Sequence, residues 1–191
     1  QSMSDIPSII WFMRKYHAKF ISKKELGKGI PSVSYNLRHG GSVLIDRKKP
    51  FQAFDAIKQM ASYIELHNRA VVIFPEGSHH INRTVRQLSK GFTRIVFETL
   101  ETYPESDLQL IPVGINFIKS EDFGDSTAVF FGKPIAAKDY IIEDRNEAVV
   151  ALKRDVQKAI SELTTHIPAE NYFIFFNIFI ITQKIRDLLL H

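Results

Sequence analysis

RAVVIFPEG, Arg69 to Gly77, runs through five consecutive apolar residues, Ala70 to Phe74, before it meets Pro75, Glu76 and Gly77. An unbroken apolar run of this length has no wet side, so it reads as a strand buried on both faces; Pro and Gly then turn it into a loop. The form recurs along the chain. GGSVLID (Gly40–Asp46), LQLIPVGINF (Leu108–Phe117) and TAVFFGKPI (Thr127–Ile135) are further buried strands, and HAKFIS (His17–Ser22) is a short one.

Helical patterns separate these strands. Phe51 to His67 is the clearest, since Phe54, Ile57, Ala61 and Ile64 recur at spacings of three and four. Ser8 to Tyr16 forms another, with Pro7 in its first turn and Asp5 available as a cap. A short helical stretch is expected near Ser32 to Leu37, a longer one over Phe92 to Thr102, and a last amphipathic helix is marked by Val149, Leu152, Val156, Ile160 and Leu163. Non-alternating strands divided by helices predict an α/β protein: a three-layer fold with a mixed or largely parallel sheet flanked by helices. Ligand sites of such sheets gather on the loops at strand ends. The polar residues that follow each apolar run, in DRKK, PEGSHH and GIN, are expected to line one crevice.

The chain has 191 residues, 45% of them hydrophobic and 24% charged, which fits one folded domain with a single core. It contains no cysteine, which excludes a disulfide framework, a thiolate metal site and a cysteine nucleophile. The net charge is +4, and the excess sits early: the first 50 residues hold 10 Lys and Arg against 3 Asp and Glu. Such a surface suits nucleic acid, anionic lipid or a phosphorylated small molecule. No zinc-finger spacing, RNA-binding signature or long basic helix is present, so nucleic acid is set aside as a partner.

Four stretches in order, QSMSDIP (Gln1–Pro7), GGSVLIDR (Gly40–Arg47), VVIFPEGS (Val71–Ser78) and LIPVGI (Leu110–Ile115), resemble the sequence blocks of the PlsC-type glycerolipid acyltransferase superfamily. That group comprises 1-acyl-glycerol-3-phosphate and glycerol-3-phosphate acyltransferases. KKELGKGIP at Lys23 to Pro31 adds a fifth similarity. The resemblance implies transfer of a fatty acyl group from acyl-CoA or acyl-carrier protein to a hydroxyl of lysophosphatidate or glycerol 3-phosphate, with no cofactor beyond that thioester co-substrate. It also implies a membrane surface as partner and a location at the cytoplasmic face of a membrane. The domain is expected to span 1–170 without its N-terminal part.

In that family the first block is Asn-His-Gln-Ser-x-x-Asp, and Gln1, Ser2 and Asp5 match its second half. The resemblance therefore places the catalytic histidine just before Gln1 and gives Asp5 the task of orienting it. A hydroxyl is a poor nucleophile; an imidazole titrating near neutrality can take its proton, and a carboxylate on the other ring nitrogen fixes the tautomer. Without that histidine, residues 1–191 are expected to show little turnover. By the same resemblance Arg47 and Lys24 bind phosphate, and Glu76, Gly77 and Ser78 place the acceptor. Arg47 offers a planar fork for a dianion, and a glycine lets backbone approach closely. The third block departs from the usual Glu-Gly-Thr-Arg-Ser, because His79 stands where the phosphate-binding Arg would be. Arg83 or Arg86 is expected to supply that charge. His79 and His80 lack further ligands at metal-binding spacing, so no metal site is expected. Pro112 and its apolar neighbours read as core or acyl-channel lining.

NYFIFFNIFIIT (Asn171–Thr182) is too short to cross a bilayer as a helix, for which roughly 18 to 20 apolar residues are needed. Residues 171–191 are expected to be an apolar segment in contact with a membrane. The competing reading is a lipid-binding domain that keeps an acyltransferase fold without catalysis.

Overall fold

The computed structural model describes residues 5–23, 35, 39–40, 42–45, 50–77, 83–117, 127–167, 170 and 172. Helix α1 (Asp5–Met13) passes through a 3-10 turn (Arg14–Tyr16) into strand β1 (Lys19–Lys23). Strand β2 (Val43–Ile45), helix α2 (Pro50–Glu65) and strand β3 (Val71–Ile73) follow, then helix α3 (Gly91–Thr102). Four short strands come next: β4 (Gln109–Leu110), β5 (Val113–Phe117), β6 (Thr127–Phe131) and β7 (Ile135–Ala136). A 3-10 turn (Ala137–Tyr140) then leads to helix α4 (Arg145–Leu163).

β1 is the centre of a parallel sheet of order β2-β1-β3, with Ile21 opposite Val43 on one side and Ile73 on the other. Parallel neighbours need a crossover, and α2 supplies the one from β2 to β3. Successive residues of a strand point to opposite faces, and both faces of this sheet are covered. Ile21, Val43, Val71 and Ile73 meet Ile57 and Met60 of α2 and Ile95 of α3. Phe20, Val72 and Phe74 meet Ile9 and Met13 of α1 together with Val113, Ile115 and Val129 of β5 and β6. That double burial is why the strands carry no polar alternation. A third apolar centre lies between α3 and α4, where Phe92, Val96 and Leu100 pack with Ala148, Leu152, Val156 and Ile160.

The α/β character is as expected, but the described strands do not form one continuous sheet. LQLIPVGINF, expected to be one strand, divides at Ile111–Pro112. Proline has no N–H to give a ladder, so β4 and β5 take different partners. β4 pairs antiparallel with β7, and β5 antiparallel with β6. TAVFFGKPI divides in the same way, at Gly132–Pro134. β6 is also wetter than its sequence suggests, with Phe130 and Phe131 exposed.

The buried stripe of α2 differs from the expected one. Ala56, Ile57, Met60 and Ala61 are buried, whereas Phe54 is exposed, with the Lys58 ammonium 4.6 Å from its ring centroid. Of the short helical stretch expected near 32–37, only Tyr35 lies within the described residues. It is helical, and its ring stacks on His39 one turn later at 4.2 Å.

The end of α4 is fixed by β5. Asn116 Nδ2 donates to the Leu163 carbonyl at 2.9 Å, and Asn116 Oδ1 accepts from the Thr165 amide at 2.9 Å. Gly114 makes that approach possible, since a Cβ there would sit 2.7 Å from Leu163 Cβ and 2.8 Å from its carbonyl carbon.

Candidate functional site

β3 delivers the chain into a tight turn at Phe74-Pro75-Glu76-Gly77. The Gly77 amide donates to the Phe74 carbonyl at 3.3 Å, and Gly77 has φ 75, a left-handed conformation that glycine adopts without strain. Pro75 suits the second position of such a turn because its φ is preset. The Pro75 carbonyl accepts from the Ser89 amide at 2.8 Å, tying the turn to the segment that leads into α3. The half-buried Glu76 is thereby held in place, and its Oε2 accepts from the Arg86 amide at 3.3 Å.

A clasp fixes the residues that follow. The Ile167 amide donates to the Arg83 carbonyl at 2.7 Å, the Thr84 hydroxyl to the Ile167 carbonyl at 2.6 Å, and the Val85 amide to His166 Nδ1 at 3.0 Å. The Tyr172 hydroxyl accepts from the Arg83 amide at 3.0 Å. A ring nitrogen that accepts carries no proton, so neutral His166 holds its proton on Nε2. These partners are more than 80 residues apart in the chain, and no local pattern announces them.

Beside the turn opens a cleft of about 1630 Å³ between β3 and the β4–β5 segment. Glu76, Arg83 and Thr84 line it together with the apolar side chains of Ile9, Phe74 and Val113. Leu110, Ile111 and Pro112 line it too, while Leu110 also packs against the α3–α4 core, as expected of a core-lining stretch.

Among the expected site residues the structure therefore brings Glu76, Gly77, Arg83 and Arg86 together. Glu76 and Arg83 face the cleft, Gly77 shapes the turn, and Arg86 holds Glu76 through its backbone. Asp5 is the first residue of α1, one turn before the cleft-lining Ile9; the role expected of its carboxylate lies outside what is described. Lys24, Arg47 and Ser78 lie outside the described residues, as do His79, His80 and, apart from Tyr172, segment 171–191. Register places Lys23 beside Ile45 and Ile21 beside Ile73, so the three parallel strands end at one edge of their sheet.

Proton affinities are clearly shifted away from the cleft. Burial, followed by its hydrogen bond to Asp155, pushes the Tyr140 phenol up to about 12. The hydrogen bond from Arg154 holds Asp155 below the usual carboxylate range, against the opposing effect of burial and with help from Tyr140. This cluster joins the 3-10 turn to α4 and is structural. Among the described residues, no three His, Cys, Asp or Glu side chains converge as a metal site would require, and no helix is long and apolar enough to cross a membrane.

Fold and cleft define an α/β chain with a carboxylate–glycine turn at one end of an apolar-lined hollow. The acyltransferase family model matches residues 1–116, and the chain belongs to that family. An uncharacterized acyltransferase of Schizosaccharomyces pombe is 28% identical over 122 residues. Glycerol-3-phosphate O-acyltransferase 1 of Saccharomyces cerevisiae is 27% identical over 104 residues, and a 1-acyl-sn-glycerol-3-phosphate acyltransferase of Cocos nucifera is 29% identical over 98. These alignments cover 59%, 51% and 51% of this chain, and 18%, 14% and 31% of the respective relatives. The chain thus corresponds to less than a third of each relative's length. No solved structure matches significantly.

Proposed function

We propose that the chain is the catalytic module of an O-acyltransferase that moves a fatty acyl group from a coenzyme A or carrier-protein thioester to a hydroxyl of glycerol 3-phosphate or its monoacyl derivative, at a membrane surface. The observation that carries this reading is the Glu76–Gly77 turn beside Arg83 at one end of a large apolar-lined cleft. A polar, phosphorylated head beside a long apolar chain is the shape shared by reactant and product. Family membership and the activities for which the yeast and coconut relatives are named support the same chemistry.

In this mechanism the acceptor hydroxyl is bound by the Glu76 carboxylate and its phosphate by Arg83 or Arg86, with Arg47 and Lys24 as further phosphate ligands and Ser78 helping to place the acceptor. The proton acceptor is the imidazole that the first-block pattern places one residue before Gln1, oriented by Asp5. The hydroxyl oxygen attacks the thioester carbonyl while its proton passes to the imidazole. The tetrahedral intermediate then expels the thiolate, which recovers the proton. No acyl-enzyme forms.

The test is acyl transfer by the chain extended upstream with Asn-His, using a labelled thioester and a panel of glycerol-phosphate acceptors. Turnover is expected, and replacing the added histidine should lower kcat about a hundredfold to ten-thousandfold. Glu76→Ala should lower kcat/KM for the acceptor about tenfold to a hundredfold, as for a lost hydrogen bond to a charged group. Acceptor binding without turnover by the extended chain would overturn the proposal in favour of a lipid-binding domain.

A further inference from the structure

The cleft has a rim that catalysis does not require. Trp11 is 65% exposed, Phe12 46% and Tyr16 63%, a grouping of exposed large aromatics that soluble surfaces normally avoid. They fall within one short stretch of chain, at the end of α1 and in the 3-10 turn after it. Phe12 and Tyr16 also line the cleft, as do the exposed Ile111 and Phe131, so the patch is continuous with the hollow.

The segment that carries these rings bears charge of one sign. Arg14 is folded onto Trp11, its guanidinium 4.4 Å from the ring centroid and its Nη1 donating to the Trp11 carbonyl at 2.8 Å. Lys15 is exposed at the cleft rim. Residues 6 to 24 contain no Asp or Glu at all. The acids that reach the cleft beyond the Glu76 turn are engaged elsewhere: Glu65 accepts from the Ser106 hydroxyl, and Asp107 accepts from Gln109 at 2.8 Å.

Trp11 and Tyr16, rings with a polar edge, stand with the apolar Phe12 beside cations on a segment free of acids, and this matches the chemistry of an anionic bilayer surface: rings settle at the headgroup level, and Arg and Lys meet lipid phosphates. We infer that the Trp11–Phe12–Tyr16 face, with Arg14 and Lys15, is where this protein rests on an anionic lipid bilayer, so that the cleft mouth opens at the level of the headgroups. This deepens the proposed function and rests on its reading that the substrate is an amphiphile drawn from a membrane.

Trp11 is the sole tryptophan of the chain, so its emission reports this face without a label. The experiment mixes the 191-residue chain with phosphatidylcholine vesicles containing phosphatidylglycerol, and with pure phosphatidylcholine vesicles. Emission is expected to shift to the blue and to be quenched by brominated lipid on the anionic vesicles, with both effects weakened by salt. Arg14→Gln with Lys15→Gln should lower vesicle partitioning about 25-fold, about fivefold for each cation, and Phe12→Ser about tenfold. Arg14 and Lys15 are exposed and Phe12 nearly half so, and an unchanged urea midpoint would show that the fold is intact. Vesicles that carry down the protein with Trp11 emission unmoved would put the membrane contact elsewhere in the chain and overturn the inference. A blue shift that grows with protein concentration in the absence of lipid would assign the face to a second copy and overturn it equally. Acyl transfer to a dispersed acceptor with no lipid-induced shift would sink this surface alone. A shift without acyl transfer by the histidine-extended chain would support the surface and sink the proposed reaction.

Discussion

Gly114→Ala tests the close approach of β5 to the end of α4. An alanine methyl at 114 would sit 2.7 Å from Leu163 Cβ and 2.8 Å from the Leu163 carbonyl carbon. Comfortable carbon–carbon contact is about 3.5–4.0 Å, so the end of α4 must retreat by roughly 1 Å. Backbone at a helix terminus cannot step aside as a flexible side chain can. The retreat also stretches the two 2.9 Å hydrogen bonds that Asn116 makes to Leu163 and Thr165. Overpacking of this kind costs about 1–3 kcal/mol, and each weakened hydrogen bond about 0.5–1.5 kcal/mol. Alanine's lower backbone entropy in the unfolded chain returns about 0.5–1 kcal/mol. A net loss of about 3 kcal/mol follows, or roughly 6–12 °C in Tm for a domain of this size. Urea denaturation followed by helical circular dichroism measures it directly. Asn116→Ala should cost at least about 1 kcal/mol less in the Gly114→Ala background than in the parent, because the bonds it removes are already strained. A Gly114→Ala midpoint within about 0.5 kcal/mol of the parent, with additive behaviour of the pair, would refute the reasoning.

Other consequences are equally measurable. Leu152→Ala empties a fully enclosed site between α3 and α4 and should destabilise the fold by about 2–5 kcal/mol in chemical denaturation. Asp144→Ala removes an N-cap that accepts from the Asn146 amide at 2.7 Å and the Glu147 amide at 3.3 Å, and should cost about 1 kcal/mol in the same assay. Tyr140 is raised from 10.0 to about 12 because the fold favours the neutral phenol; its contribution to stability is complete below pH 10 and disappears as pH rises toward 12. Tyr140→Phe should therefore flatten the alkaline limb of a stability–pH curve, and absorbance titration should lose its latest-ionising phenol. Asp155 has the opposite sign: the fold favours its carboxylate, so its contribution is present above the ordinary carboxylate value and is lost as acid carries the pH below it. Asp155→Asn should reduce the acid sensitivity of unfolding.

Most elements were legible in the sequence because they depend on short-range patterns. Ile57, Ala61 and Ile64 repeat with helical spacing, and the apolar runs around Val43 and Val72 reflect a sheet enclosed on both sides. Periodicity does not say where a buried stripe ends, which is why Phe54 was grouped with the inner face of α2 and lies outside it. Pro112 contained the sign that LQLIPVGINF must divide, but which strands β4 and β5 then choose is a long-range matter that hydropathy does not encode. At the site, Glu76 and Gly77 were readable from their motif, and the turn shows why glycine stands there. Gly114 was visible within its block, but its reason is visible only once Leu163 is known to pack on it. His166 and Thr84 gave no sign, because the clasp they form joins distant stretches of chain.

That clasp separates two notions of a module. The match to the acyltransferase family model ends at residue 116, yet Arg83, Thr84 and Val85 take hydrogen-bond partners from residues 166, 167 and 172. α4 also fills the space beneath Phe92 and Val96. The match to the family model thus stops some fifty residues short of the groups that hold residues 83–85 in place. A fragment trimmed to the recognisable part would keep every diagnostic letter up to that point and lose the scaffold that gives those letters a shape.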